Sequence, residues 1–470
     1  MTIVSPLRGA AIDRAIEAFE RGPRELLSSG LWGFEREALR VDAEGRLSTS
    51  EHPFAPGRGD ITVDFAENQI ELVTPPRPGV EDALGELGKL HRLAYDGIGD
   101  ELLWPLSVPG RWDEPERLRP ARFAGVPERG EARRYRELLL ERYGRARQAI
   151  SGLHYNFSLS DEFWYFLARA EGSTEDLRGF ANRRYMDLAR NFARFSFLPV
   201  FLFSASPVID SRFSDDLARS AGGAARATGA ACAGKTASLR LGPLGYRLDD
   251  RIACRVDLRL ESIEEYVGAL GQAIAPRDGS PPLLFSEGEL YAPVRPKAAF
   301  PGSKASLAAL EEKGIEYLEL RTFDLDPFEP AGIGEEEARI VHLLALACLM
   351  VRSPPLDRGI AVEDPLSRAA SACSLGSSAR GADRWVAAAV KRAAREPLEM
   401  MSRIARIMSA EYGGALSRAL AILDGRAPRS AERFAQLARE RGGGLEAGLE
   451  LARAHRAAIM AERKKGTWNT

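Results

Sequence analysis

The chain has 470 residues, with 65 Lys and Arg against 67 Asp and Glu and a formal net charge of -2. That balance excludes the basic footprint of a nucleic-acid binder, and the length permits a large buried core. Cys232, Cys254, Cys348 and Cys373 show neither CxxC pairing nor zinc-ligand spacing, so a disulfide scaffold is excluded and a reducing cytoplasmic setting fits them.

Near the N-terminus, Arg8, Asp13 and Arg14 interrupt the apolar core that a secretory signal needs, so an amphipathic helix and no export are expected. Residues 30–75 read as strands divided by Gly, Pro and Asp turns, and Val80, Leu84, Leu87, Leu90 and Leu93 then recur at helical spacing. Arg133 to Arg147 is a charged amphipathic helix, followed from Ile150 by a strand that carries His154. Phe195 to Ile209 and Ile340 to Val351 are apolar but too short or broken to span a bilayer, and are expected in the core. His342, inside the second, reads as a core histidine with a hydrogen-bond partner. From Pro354 onward the chain is rich in Ala, Arg, Leu and Glu at helical spacing, as a buttress would be.

Four short stretches carry the chemistry. They are Gly33 to Glu37, Asp64 to Glu71, His154 to Asn156, and Tyr317 to Arg321. Side chains two apart on a strand share a face. Strand spacing therefore predicts Glu35 with Glu37, Glu67 with Glu71, and Tyr317 with Glu319 and Arg321, each set on one side of a sheet. A single carboxylate of this kind is ordinarily a solvated strand face. Several of them gathered with a histidine need a cation, because buried negative charge is costly when unpaired. Carboxylates with one imidazole suit Mg2+ or Mn2+, and Mg2+ is commonly held jointly with nucleotide phosphates. The residues thus point to ATP held through metal.

One motif points elsewhere. Gly229 to Thr236 matches the GxxxxGK[ST] phosphate loop, which would place Lys235 on phosphate and Thr236 on Mg2+. No hydrophobic strand precedes it, and Gly242 with Pro243 stop a following helix, so the context argues against a phosphate loop.

The ordered blocks FEREALRV, VDFAENQIELVTP, LLWPLSVP, YRELLLERYG, ISGLHYNFSL, SLRLGPLGY, ELYAPVRPK and GIEYLELRTFDLDPF run from about Leu31 to Phe328. In this series the chain resembles the glutamate-cysteine ligases of the proteobacterial type, which open glutathione synthesis. The resemblance implies an α+β, glutamine-synthetase-like fold: a curved, mostly antiparallel sheet forms a funnel with helices around it, and the C-terminal part is rich in helix. It implies one catalytic domain over residues 1–470, with its motifs inside 31–328 and the helical part at 354–470. The implied reaction passes from glutamate and ATP to γ-glutamyl phosphate, which the α-amine of cysteine attacks, with Mg2+ (or Mn2+) offsetting the charge.

Carried over by motif position, Glu35, His154 and Glu319 bind one metal, while Glu37, Asp64 and Glu71 serve the other. Glu67 either touches metal or orients Asp64. Arg321 and Glu319 are the implied catalytic pair, with Arg321 on the ATP phosphates; an ion pair of Arg321 with Glu319 or Glu37 is the plainer alternative. Lys297 and Arg295 either add charge near the nucleotide or lie on an exposed turn. Arg240 and Arg136 are candidates for gripping substrate α-carboxylates. Phe65, Tyr135, Leu139, Gln148, Tyr246 and Tyr291 map onto the cysteine pocket, although each alone reads as ordinary packing. The implied partners are L-glutamate, L-cysteine and ATP, with no nucleic acid or membrane, and a monomer is expected. The alternatives are a ligase of this fold acting on another amine, a phosphate-loop NTPase, and a silent binding protein of the same fold.

Overall fold

The computed structural model describes residues 6–55, 58–122, 130–207, 210–220, 236–241, 245, 247–248, 250–298, 306–362, 364–371 and 379–464. Among the described residues seven strands form the sheet: β1 (Trp32–Val41), β2 (Ile61–Val63), β3 (Gln69–Val73), β4 (Leu102–Leu103), β5 (Leu153–Phe157), β6 (Val294–Lys297) and β7 (Tyr317–Phe323). Their order is β2-β3-β1-β5-β7-β6, every neighbouring pair is antiparallel, and β4 pairs with the end of β1.

The alternation within β1 sets the two faces. Phe34 and Ala38 are fully buried on one side, and Ile70, Leu72, Tyr155, Leu318, Leu320 and Val294 extend that apolar face along the neighbouring strands. The helix Val80–Gly97 packs on β1 and β3, and Phe197–Phe203 packs on β7. Glu35 and Glu37 point to the opposite side. Glu, Arg and Ala are poor strand formers, so the central place of β1 between β3 and β5 is set by pairing and burial rather than by local preference.

Asp64 to Glu71 is not one strand, which corrects the expectation of Glu67 and Glu71 on a common face. β2 and β3 form a hairpin whose turn contains Asp64 to Asn68. The Asp64 N–H donates to the Gln69 carbonyl (3.2 Å), and the Gln69 N–H donates to the Ala66 carbonyl (2.9 Å). Asn68 fastens the turn by donating to the carbonyls of Ser48 (2.8 Å) and Arg117 (2.9 Å), and the Arg40 guanidinium donates to the Glu67 carbonyl (2.9 Å).

The α+β expectation with a helix-rich C-terminal part is met. The helix Glu335–Leu349 is buried on every side from Ala338 onward, packed by Leu177–Arg194, Arg395–Ala405 and Ala410–Leu423. His342 is fully buried there, with Nδ1 2.8 Å from the Tyr412 hydroxyl and its ring 5.0 Å from that of Trp32. Gly444–Lys464 closes the chain against Val80–Gly97 and β4. One contiguous apolar core reaches from Ala15 to Ile459. Among the described residues, no helix is long and apolar enough to cross a membrane.

Candidate metal and nucleotide site

The polar face of the sheet is a row of cross-strand partners. Glu71 faces Glu37 across β3 and β1, Glu35 faces His154 across β1 and β5, Asn156 faces Glu319 across β5 and β7, and Arg295 faces Glu319 across β6 and β7. Directly opposed residues in an antiparallel pair point to the same side. The register of β5 and β7 shifts between Leu153 and Tyr155, so Arg321 and Thr322 both lie opposite His154. Arg321, two residues from Glu319 on β7, pairs with that carboxylate.

Two trios result: Glu35, His154 and Glu319 in one, Glu37, Asp64 and Glu71 in the other, with the potential ligand atoms of each trio within 4.8 Å of one another. His154 Nδ1 lies 3.0 Å from Glu35 Oε2 and 3.3 Å from Glu319 Oε1, while Nε2 lies 3.6 Å from Glu37 Oε1 and links the trios. Asn156 donates to Glu35 Oε1 at 2.8 Å. The backbone N–H of Gly152 donates to Glu37 Oε2 at 2.7 Å.

Electrostatics differ between the trios. Burial pushes the Glu37 carboxyl up to about 8, reinforced by the charge of Asp64. Burial likewise raises Glu71 well above the usual range, again with Asp64. Burial also works against ionisation of Glu319, but Arg321, Lys297 and Arg295 outweigh it and hold the carboxyl well below its ordinary value. Glu35 is lowered because the His154 hydrogen bond and its companions outweigh burial. Burial, then the charge of Arg321, lowers His154 and favours the neutral, ligating imidazole. The buried oxygens Glu37 Oε1 and Glu319 Oε2 have no hydrogen-bond partner among the described residues. A donor set of oxygens and one imidazole with such orphaned atoms fits hard divalent cations.

The cationic side of the face is built by β6 and β7. Arg321 binds Glu319 at 2.5 Å, and Arg295 and Lys297 each lie 3.8 Å from Glu319 Oε2. Arg295 is buried on β6 and donates to the Leu290 carbonyl (2.9 Å), so the exposed-turn alternative for these two residues is set aside. Glu67 takes no part in either trio. Its carboxylate accepts the backbone N–H of His52 (3.3 Å) and that of Arg122, and it fixes the loops around the hairpin.

The residues mapped to the cysteine pocket lie on three elements. Phe65 is buried in the hairpin turn. Tyr135, Leu139 and Gln148 lie along the helix Gly130–Gln148, with Leu139 and Gln148 buried. Arg136 joins this helix to the turn by donating Nε to the Asp64 carbonyl (2.8 Å), rather than facing solvent. Tyr291 meets the ring of Tyr143 edge-on at 5.5 Å. Tyr143 was not singled out by sequence, although it follows Tyr135 and Leu139 at four-residue steps and so shares their face. Its hydroxyl donates to the fully buried Glu289 (2.6 Å), which also binds Arg142 (2.5 Å). Beyond Tyr291 lies a cavity of about 250 Å³, also lined by Arg194, Arg247 and the segment Pro355–Val362. Arg240 is buried with its guanidinium against Gly152, where a Cβ would lie 2.2 Å from Cζ. Tyr246 lies outside the described residues, as do Gly229 to Lys235 of the phosphate-loop match. Among the described residues the flanks of that match are the helix Ser211–Ser220 and the non-helical Thr236–Leu241, and neither is the strand or the helix that a phosphate loop requires.

Residues 16–363 match the family model described as Glutamate-cysteine ligase. The chain belongs to the glutamate-cysteine ligase family. It is 34% identical over 355 residues to the glutamate–cysteine ligase of Alcanivorax borkumensis, covering 69% of this chain and 66% of that protein. With the ligase of Clostridium acetobutylicum the identity is 32% over 359 residues, covering 71% and 74%. The match thus spans just under two thirds of the first of these relatives. A crystal structure of the glutamate–cysteine ligase of Francisella tularensis in complex with AMP aligns with a TM-score of 0.73 at 26% identity, over 93% of this chain and 92% of that one. A bifunctional glutathione synthetase from Pasteurella multocida gives 0.73 at 27% identity, over 95% of this chain and 55% of that one.

Proposed function

We propose that the chain is an ATP-dependent ligase that joins the γ-carboxyl of L-glutamate to the α-amine of L-cysteine through γ-glutamyl phosphate. The observation that carries this reading is the pair of ligand trios on one sheet face in a chain of this family. The AMP complex of the Francisella tularensis ligase supports a nucleotide substrate.

Glu35, His154 and Glu319 hold one divalent cation, and Glu37, Asp64 and Glu71 hold another, with Mg2+ as the natural ion and Mn2+ as a substitute. Bound there, the ions neutralise charge between a carboxylate nucleophile and the triphosphate. Arg321 touches the transferring phosphoryl group and stabilises the charge that develops on it. It reaches that group by leaving Glu319, and Lys297 and Arg295 sustain the positive field beside it. Arg136 and Arg240 orient the substrate carboxylates. Phe65, Tyr135, Leu139, Gln148, Tyr246 and Tyr291 enclose the cysteine side chain, where a small apolar wall selects a thiol over a hydroxyl. The large core that reaches from Ala15 to Ile459 supports reading residues 1–470 as one catalytic unit, working as a cytoplasmic monomer.

The test is phosphate release from ATP with Mg2+ and L-glutamate, with and without L-cysteine, together with mass analysis of the product. Cysteine-stimulated release with γ-glutamylcysteine as product is expected. Stimulation by a different amine keeps the metal site and overturns the pocket assignment. Release that ignores glutamate overturns the ligase reading.

A further inference from the structure

Five residues beyond Glu319, β7 gives way to Asp324, a buried carboxylate on neither trio. Its Oδ2 accepts the backbone N–H of Ala205 at 3.0 Å and the hydroxyl of Ser206 at 3.4 Å. Its other oxygen, Oδ1, has no hydrogen-bond partner among the described residues, and Ser238 is near enough to favour the ionised carboxyl. Ser238 Oγ in turn accepts the backbone N–H of Arg240 at 3.1 Å. The Ser206 N–H donates to the Ala237 carbonyl at 2.7 Å, and the N–H groups of Ala237 and Ser238 donate to the Ser371 carbonyl at 2.7 and 3.2 Å. The short segment that carries Arg240 has no helix or strand ladder of its own, so these bonds fix its position.

The far end of Arg240 is placed with equal care. Its guanidinium lies against Gly152, and only a residue without Cβ permits that approach. The N–H of the same Gly152 binds Glu37. Asp324 and Glu37 both feel the positive charge of Arg240; the first anchors the strand end beside its segment and the second belongs to the metal site.

We propose that Asp324 is a positioning residue for Arg240, acting through Ser206 and the Ala237–Arg240 segment that Ser206 holds, and that it sets the grip of Arg240 on the α-carboxylate of an amino-acid substrate. The inference rests on the ligase reading above. Its chemical content is that the charge and acceptor oxygens of Asp324 serve the amino-acid subsite and not the nucleotide.

The experiment measures KM for glutamate, cysteine and ATP for wild type, Asp324→Asn, Ser206→Ala, Arg240→Lys and the Asp324→Asn/Arg240→Lys double variant. Arg240→Lys identifies the amino acid it grips as the one whose KM rises. Asp324→Asn is expected to raise that same KM about tenfold, with the KM for ATP and the melting temperature at wild-type values. In the Arg240→Lys background it is expected to add nothing, because residues acting as one unit are non-additive. Ser206→Ala, which removes only the hydroxyl bound to Asp324, is expected to move the same KM in the same direction, and it decides the matter if Asp324→Asn fails to fold. Additive losses, or equal rises in all three KM values with a lowered melting temperature, make Asp324 a structural staple and overturn the inference. An active wild type whose variants leave the amino-acid KM values unmoved overturns it alone, whereas a wild type without glutamate-dependent turnover brings down the ligase reading first.

Discussion

Within the helix Leu177–Arg194, the buried Asp187 receives Arg184 at 2.8 Å and Arg190 at 2.5 Å, and Arg184 continues to the carbonyl of Leu349 (2.6 Å). On the polar face of the sheet, Glu37, Asp64 and Glu71 instead face one another. The first is buried, and in the second Glu37 is buried while Asp64 and Glu71 are half-buried. The first neutralises its charge with its own side chains and joins two helices. The second concentrates three carboxylates, raises two of them above the usual range, and leaves Glu37 Oε1 without a hydrogen bond among the described residues. A buried charge that is already paired serves the fold, while a buried set of like charges is stable only with a partner from outside.

Substitution separates the two clusters most sharply. Glu71→Gln and Glu319→Gln are expected to lower ligase turnover by more than about 100-fold, beyond what an outer partner of a metal site costs, while the metal-free Glu71→Gln protein melts no lower than wild type. Asp187→Ala is expected to do the reverse: denaturant titration should show a loss of about 3 kcal/mol or more, because two buried guanidinium groups lose their partner. If Glu71→Gln destabilises the metal-free chain as Asp187→Ala does, the distinction between the clusters collapses.

Metal sharpens the same contrast. Mg2+ at about 100 times its dissociation constant should stabilise the wild type by about 2.7 kcal/mol. That gain should shrink in Glu71→Gln.

The pH dependence follows from the raised Glu37 carboxyl. The unfolded chain ionises this group near 4.5 and the folded, metal-free chain only near 8, so the metal-free protein loses stability as pH rises through that window. Mg2+ displaces the proton, and its affinity should rise by up to about tenfold per pH unit per proton below pH 8. Calorimetry in two buffers of different ionisation enthalpy reads the proton release. Uptake instead of release would contradict the assignment.

Smaller effects are expected away from the trios. Tyr143→Phe should cost about 1 kcal/mol of stability through the lost bond to Glu289. Lys235→Ala should leave turnover unchanged, whereas loss of nucleotide binding would restore the phosphate-loop alternative.

Much of the site was legible in the sequence because a strand repeats every two residues. Glu35 with Glu37, and Glu319 with Arg321, needed only that period and the family motifs. The same period, applied to His154, points to Asn156, which was overlooked. It failed at Glu67, where the hairpin turn resets the phase. The bulge opposite His154 left no local mark, since it is a property of pairing between distant strands. Tyr143 carried a helical-spacing signal that went unread. The bonds joining Asp324 to the Arg240 segment exist only in three dimensions, and so does the burial that distinguishes Arg295 from a residue on an exposed turn.

The most direct measurement is the number of Mn2+ ions bound per chain, by paramagnetic titration of wild type, Glu71→Gln and Glu319→Gln in the presence of ATP. At least two ions are predicted for the wild type, with one site lost in each variant. A single ion, or a stoichiometry that neither substitution changes, would contradict the claim that the two trios are metal sites.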